Sequence, residues 1–247
     1  MNNNNTLLAH LIELRRRALL CFAAFMVFFV IFFFLAPNLF HQLIQPLLDI
    51  LPKGNFVIAT HITSTVFVPL KLAADAALIC TAPFVLHHLW HFIAPGLYRS
   101  EREHFGWAIV SSLSLFVLGV IFCYLWVLPF MLKFFVRALP ADVHLMPDMI
   151  STVNFITRMM LVFGVCFQVP LLCLTMVRMK LTTVAKLKEI RPYIIVGAFT
   201  VGMLLTPPDV LSQITLAVPL CLLYELGIFL ARFIVKPNKL LESEKAG

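Results

Sequence analysis

The chain has 247 residues, 61% of them hydrophobic, and a formal net charge of +7. Its mean hydropathy is +0.96, well above a soluble globular domain, which is nearer half apolar. The lysines and arginines fall in several short, separate segments, which argues against a nucleic-acid surface.

Hydropathy predicts an all-α integral membrane protein with six spans, at about 17–36, 70–93, 105–130, 152–177, 192–205 and 210–234, in a single polytopic membrane domain over 1–247. Residues 18–35, 105–132 and 159–177 are uncharged runs of 18, 28 and 19 residues. Roughly 20 apolar residues suffice to cross the hydrocarbon core. The first run is longer than the core of a cleaved secretory signal, and no A-x-A site follows it, so a retained span is expected. Pro37 and Asn38 are expected to end it and open a long outer loop, 37–69, with turn signals at Pro46, Pro52 and Lys53-Gly54. Within that loop, 39–51 has apolar residues at helical spacing and predicts a separate short helix at the interface.

The second outer segment, 138–150, holds Pro140 and Pro147. The fifth span, 192–205, would be only about 21 Å long at 1.5 Å per residue, against a core about 30 Å thick. Thr206, Pro207, Pro208 and Asp209 then stop one helix and start another, with Asp209 as a cap. The sixth span is apolar only from 210 to 224 before it meets Glu225. The fifth and sixth helices are therefore predicted to be short, accommodated by a thinned bilayer or by a re-entrant hairpin. No internal repeat of the kind built into many secondary transporters is visible.

Six spans place both ends on one side. Fourteen lysines and arginines fall on that side, and five (Lys53, Lys71, Lys133, Arg137 and Arg158) on the other. The excess of positive charge on the inner side places both termini, and the tail 235–247, in the cytoplasm.

The six cysteines all fall in predicted helices without a C-x-x-C pair, so buried thiols are expected, with neither a disulfide framework nor a zinc site. His87 and His91 have metal-compatible i, i+4 spacing but lack a third ligand nearby, so no metal and no cofactor is expected. Lys71 and Asp75 are four apart and predict an internal pair. Glu225 is an intramembrane carboxylate, hence a functional candidate unless it pairs with Arg232.

Two acidic groups stand out at the cytoplasmic edge. Glu13 precedes Arg15, Arg16 and Arg17, with Arg17 at i+4 in the favourable order. Glu101 and Glu103 follow Pro95 and Gly96 and precede the third span, where an acid also suits a helix amino terminus. A carboxylate at a membrane surface presents a site for a cation.

These stretches carry a resemblance. HLIELRRR (10–17), FIAPGLYRSERE (92–103), FGVCFQVP (163–170), RPY (191–193) and VGAFTVGMLLTPPDVLSQ (196–213) are similar, in order and spacing, to the TatC family, the multispanning core subunit of the twin-arginine protein translocase. The resemblance implies a receptor and scaffold in the bacterial inner (cytoplasmic) membrane. It would bind twin-arginine signal peptides of folded cargo and nucleate export driven by the proton-motive force. It implies signal-peptide binding by Glu13, Arg17, Glu101, Glu103, Phe92 and Pro46, and contact with single-span TatA- and TatB-type subunits at Met203, Thr206 and Gln213. Self-association and contact with membrane lipids follow, with no nucleic-acid partner and no enzymatic activity. Two positions depart from the family's pattern: Gln168, often glutamate in relatives, keeps hydrogen-bonding capacity but cannot titrate, and His61 stands where relatives often carry an acid.

The competing reading is a proton-coupled small-solute carrier using Glu225, Asp75 and the histidines. A third, an intramembrane hydrolase, lacks paired catalytic acids or a Ser/His pair.

Overall fold

The computed structural model describes residues 3–50, 57–93, 105–138, 146–205 and 210–234. Its elements are helical: α1 (Asn3–Leu48), α2 (Ser64–Ile93), α3 (Phe105–Phe122), a π turn (Cys123–Val127), α4 (Leu128–Arg137), α5 (Met149–Cys166), α6 (Val169–Arg178), α7 (Val184–Glu189), α8 (Arg191–Leu205) and α9 (Val210–Ile234). Among the described residues, five stretches are long and apolar enough to cross a membrane: Ile12–Leu48, Ser64–His91, Gly106–Arg137, Met149–Arg178 and Gln213–Phe233. The chain divides into two compact units, Met1–Val165 and Cys166–Gly247.

In the first unit α1 differs from expectation. It does not end at Pro37, and residues 39–48 continue it instead of forming a separate interfacial helix. One helix of 46 residues runs through Pro37 and Pro46, about 69 Å at 1.5 Å per residue. Pro37 cannot donate to the Phe33 carbonyl, which in water favours a break. Here Ala36, Ile44 and Leu47 are buried, and helical continuity keeps the other backbone groups satisfied where no water can reach them. Leu39, Phe40 and Leu43 of α1 pack on Val68 and Leu72 of α2 and Val153 of α5. Ala73 and Ala77 of α2 are fully buried; small residues four apart let helices approach closely where apolar transfer gives no drive.

The third stretch passes through the π turn, whose Leu128 N–H bonds back to the Cys123 carbonyl. Pro129 follows in the first turn of α4, and the wider turn accommodates the proline's missing donor. Tyr124, in this turn, donates its hydroxyl to the Gln42 carbonyl of α1 at 2.5 Å.

A short bridge joins the segments outside the helices. Ile58 N–H bonds Pro147 O, and Met149 N–H bonds Ile58 O. Asp148 caps α5 by accepting the Ser151 N–H at 3.0 Å and also accepts the Thr60 hydroxyl at 2.7 Å.

In the second unit α6, α7 and α8 all pack on α9. The turn at Phe167 and Gln168 separates α5 from α6, because Pro170 in the first turn of α6 cannot continue the hydrogen-bond ladder from α5. Cys173, Val177, Leu187, Tyr224, Ile228 and Ala231 form the core. Tyr224 donates its hydroxyl to the Leu187 carbonyl at 2.7 Å, which anchors α7. Helix α8 is short, as expected, at 15 residues. Helix α9 is not: it continues through Glu225 to 25 residues, because that carboxylate finds a counter-charge on α8.

Gly227 sets the approach of α6 to α9. A Cβ there would lie 2.9 Å from the Pro170 Cα, a backbone atom that cannot move aside. Gly227→Val is therefore expected to destabilise the protein by about 1–3 kcal/mol, read as a lower melting temperature in detergent. Gly197→Ala, where a Cβ meets nothing within 4 Å, should not lower it. A second expectation concerns acid. The Thr60 hydroxyl and the Ser151 amide hold the Asp148 carboxyl at about 2, below its ordinary 3.8. A depressed folded value means the tether is complete above the unfolded pKa and is lost as pH falls through the folded one. Protection of the Thr60 amide against hydrogen exchange, taken relative to its intrinsic rate at each pH, should fall over that interval, and Asp148→Asn should abolish the acid step.

Candidate functional site

The site begins with two turns of α1. Glu13 and Arg17 share a face four residues apart. Arg17 donates to the same carboxylate oxygen of Glu13 twice, from Nη2 at 2.5 Å and from Nε at 3.1 Å. Its remaining terminal nitrogen, Nη1, donates to the His88 carbonyl of α2 at 2.9 Å. A cation near the carboxyl end of α2 also meets the negative end of that helix's dipole. Arg17 thus spans two helices and uses the planar fork that lysine lacks.

Both bonds from Arg17 end on Oε1. Among the described residues, Oε2 of Glu13 meets no donor, and the Glu13 side chain is 42% exposed against 20% for Arg17. The arginine orients the carboxylate and leaves one oxygen open toward the surroundings. Such an oxygen suits a guanidinium or ammonium guest, with a charge-assisted bond as the contact. The sequence pattern reveals the Glu13–Arg17 pair. It gives no sign of the His88 carbonyl, a tertiary partner 71 residues away.

The other expected site residues are placed as follows. Glu101 and Glu103 lie outside the described residues. Phe92 belongs to the last turn of α2. Pro46 is half-buried near the carboxyl end of α1, 33 residues from Glu13 and so about 50 Å along the helix; the two cannot share a pocket. His87 and His91 lie with ring centroids 4.4 Å apart. Among the described residues no group of three or more His, Cys, Asp or Glu converges as for a metal ion.

In the second unit, Gln168 is buried at 5% exposure in the turn before α6. Helix α8 buries only Ala198 and Gly202. Its Met203 is 61% exposed, so most of this short helix faces outward with apolar side chains. Gln213, on α9, is half-buried. Its backbone carbonyl would lie 3.4 Å from a Cβ on Gly202, which marks the close crossing of α8 and α9. Thr206 and Asp209 lie outside the described residues.

Glu225 pairs with Arg191 at 2.7 Å, and not with Arg232. Arg232 is seven residues away along α9, about 10 Å, whereas Arg191 opens the helix packed beside it. Asp75 pairs with Lys71 at 3.8 Å, as expected, and also accepts the Thr157 hydroxyl at 2.8 Å.

The profile of the family "Sec-independent protein translocase protein (TatC)" matches residues 9–219. The chain is 42% identical over 233 residues to the Sec-independent protein translocase protein TatC of Haemophilus influenzae, covering 94% of this chain and 91% of that protein. It is 41% identical over 235 residues to the Escherichia coli K12 protein of the same name, covering 95% and 91%. Two solved structures are similar: "Crystal Structure of Twin Arginine Translocase Receptor- TatC", with a TM-score of 0.81, 32% identity and coverage of 90% of this chain and 98% of that one, and the same receptor in DDM, with a TM-score of 0.83, 32% identity and coverage of 91% and 100%.

The Arg191–Glu225 assignment has a direct check. A double-mutant cycle on Arg191→Gln and Glu225→Gln, read by thermal unfolding, should show coupling of about 1 kcal/mol or less, as partly exposed pairs do. The corresponding cycle with Arg232→Gln should show none.

Proposed function

The chain belongs to the TatC family of Sec-independent protein translocase proteins, and from that premise we propose that Glu13 and Glu101 receive the paired arginines of signal peptides on folded cargo. The chain is a core subunit of the Tat translocase and an all-helical, multi-pass membrane protein of the bacterial type. The observation that carries the reading is the geometry of Glu13. Arg17 holds that carboxylate by one oxygen and α2 by the His88 carbonyl, so the second oxygen is oriented and open. A guest guanidinium would take it. Each charge-assisted contact contributes about 1.5–3 kcal/mol, enough for recognition when two act together.

In this reading Arg17 positions Glu13, while Glu103 and Phe92 extend the cytoplasmic recognition surface. Pro46 acts at the other end of α1, on a different part of the signal peptide. Six crossings of the inner membrane form one polytopic domain, with α8 as the short fifth crossing and both termini in the cytoplasm. Single-span TatA- and TatB-type subunits dock at α8 through Met203, Thr206 and Gln213. The wide outward face of α8 supports this, because a helix with so narrow a buried stripe offers the rest to a neighbour. Copies of the chain self-associate in the assembly. Export draws on the proton-motive force, and the subunit catalyses no covalent chemistry. A solute carrier finds no support: Asp75 and Glu225, the acids it would use, are engaged within the protein.

Binding of a twin-arginine signal peptide to the protein in proteoliposomes tests the proposal. Glu13→Ala and Glu101→Ala should each weaken binding by about tenfold or more, since tenfold corresponds to about 1.4 kcal/mol. A twin-lysine peptide should bind the unaltered protein more weakly. Full-strength binding to both variants would reduce these glutamates to helix anchors.

A further inference from the structure

The first unit holds a cavity of about 500 Å³ between α1, α2, the π turn and α5. Phe32 and Leu43 of α1, Ala76 and Cys80 of α2, Tyr124 and Met160 are among its lining residues. The cavity lies between membrane-spanning stretches. Its lining is nearly all apolar, and its two hydroxyls are already committed, Tyr124 to the Gln42 carbonyl and Thr157 to protein acceptors. Water needs two to four polar partners to occupy a site, so water is a poor occupant. An empty space costs the lining its dispersion contacts.

The dimensions select what fills it. A dry cavity of about 150 Å³ holds benzene; by proportion this one, at about 500 Å³, holds roughly twenty carbons. A helix is about 10 Å across, and one turn with its side chains would nearly fill the space, so a partner helix does not fit. A single flexible hydrocarbon chain does. On α1 the lining runs from Phe32 to Leu43, eleven residues and about 17 Å, roughly half of the 30 Å or so of the hydrocarbon core. Among the described residues the Gln42 side-chain amide has no hydrogen-bond partner, and it stands toward the end of α1 at Leu48.

We propose that this cavity is a binding site for one acyl chain of a bilayer phospholipid, with the glycerol ester at Gln42 and the chain running toward Phe32. The chain belongs to the leaflet at the end of the unit where α1 finishes and α2 and α5 begin. Selectivity is for the length of the chain, because the lining meets carbon and not the headgroup. The site stands independently of the signal-peptide proposal and involves none of its cytoplasmic residues.

The test uses the full chain in proteoliposomes doped with a phosphatidylcholine that carries a diazirine near the end of one sixteen-carbon chain. After photolysis, adducts are mapped by mass spectrometry. Phe32 and Met160 should be labelled severalfold more than Phe34, a neighbour that is 78% exposed on the outer face of α1. Filling the cavity with Ala76→Trp should remove most of that excess and leave Phe34 unchanged. Cys80→Trp provides the same check should the first variant fold poorly, and the ratio in the unaltered protein stands without either. Labelling of Phe32 and Met160 no greater than that of Phe34 would overturn the proposal. So would an excess untouched by either folded variant. A diazirine palmitic acid that labels the cavity as well as the phospholipid does would overturn the assignment to a phospholipid.

Discussion

Inside a bilayer every backbone donor and acceptor must find its partner within the protein, and that constraint decides where this chain bends. Its interior prolines are the places where the hydrogen-bond ladder fails. At Pro37 the helix continues without a break, with Ala36 buried beside the proline. At Pro129 the ladder widens into the π turn. At Pro170 it stops, and a new helix begins. The same residue type has three outcomes, and the packing on either side selects among them.

Charge obeys a related economy. Each acid so far discussed within the described helices is held by a named group: Glu13 by Arg17, Asp75 by Lys71 and Thr157, Glu225 by Arg191. What separates Glu13 from the others is the manner of holding. Arg17 approaches one oxygen only, and its third contact fixes the guanidinium to a second helix. A carboxylate anchored in this way neither folds back on the protein nor swings freely. This is the preorganisation that the proposed recognition of a planar cation would draw on.

Much of this was legible in the residues. Long uncharged runs mark the helices, because hydropathy and length suffice in hydrocarbon. The Glu13–Arg17 and Lys71–Asp75 pairs follow from helical spacing alone. The motifs around Glu13, Gln168 and Met203 carry the family. Other features were not legible, for identifiable reasons. Pro37 reads as a stop because the rule was learned where water competes for the backbone. The partner of Glu225 lies on another helix, so Arg232, nearer in sequence, misleads. The His88 carbonyl is a backbone atom, and every residue has one; only the tertiary fold singles it out. The cavity between α1, α2 and α5 comes from the way stripes on separate helices fail to meet, which no single stripe reveals.

The π turn has a consequence for how the third stretch tolerates change. It contains one residue more than an α-helix needs over the same rise. One helical residue corresponds to roughly 100° of rotation, and the wide turn absorbs it, so the apolar pattern of α3 resumes in α4 shifted by one position across Cys123–Val127. The stretch is therefore forgiving of a single lost residue inside the turn and strict beyond it. Deleting one residue there would let the ladder close as a regular α-helix with the buried Leu128 and Met131 still against the core. Deleting a second would rotate every position of α4 against its neighbours and carry those side chains toward the lipid.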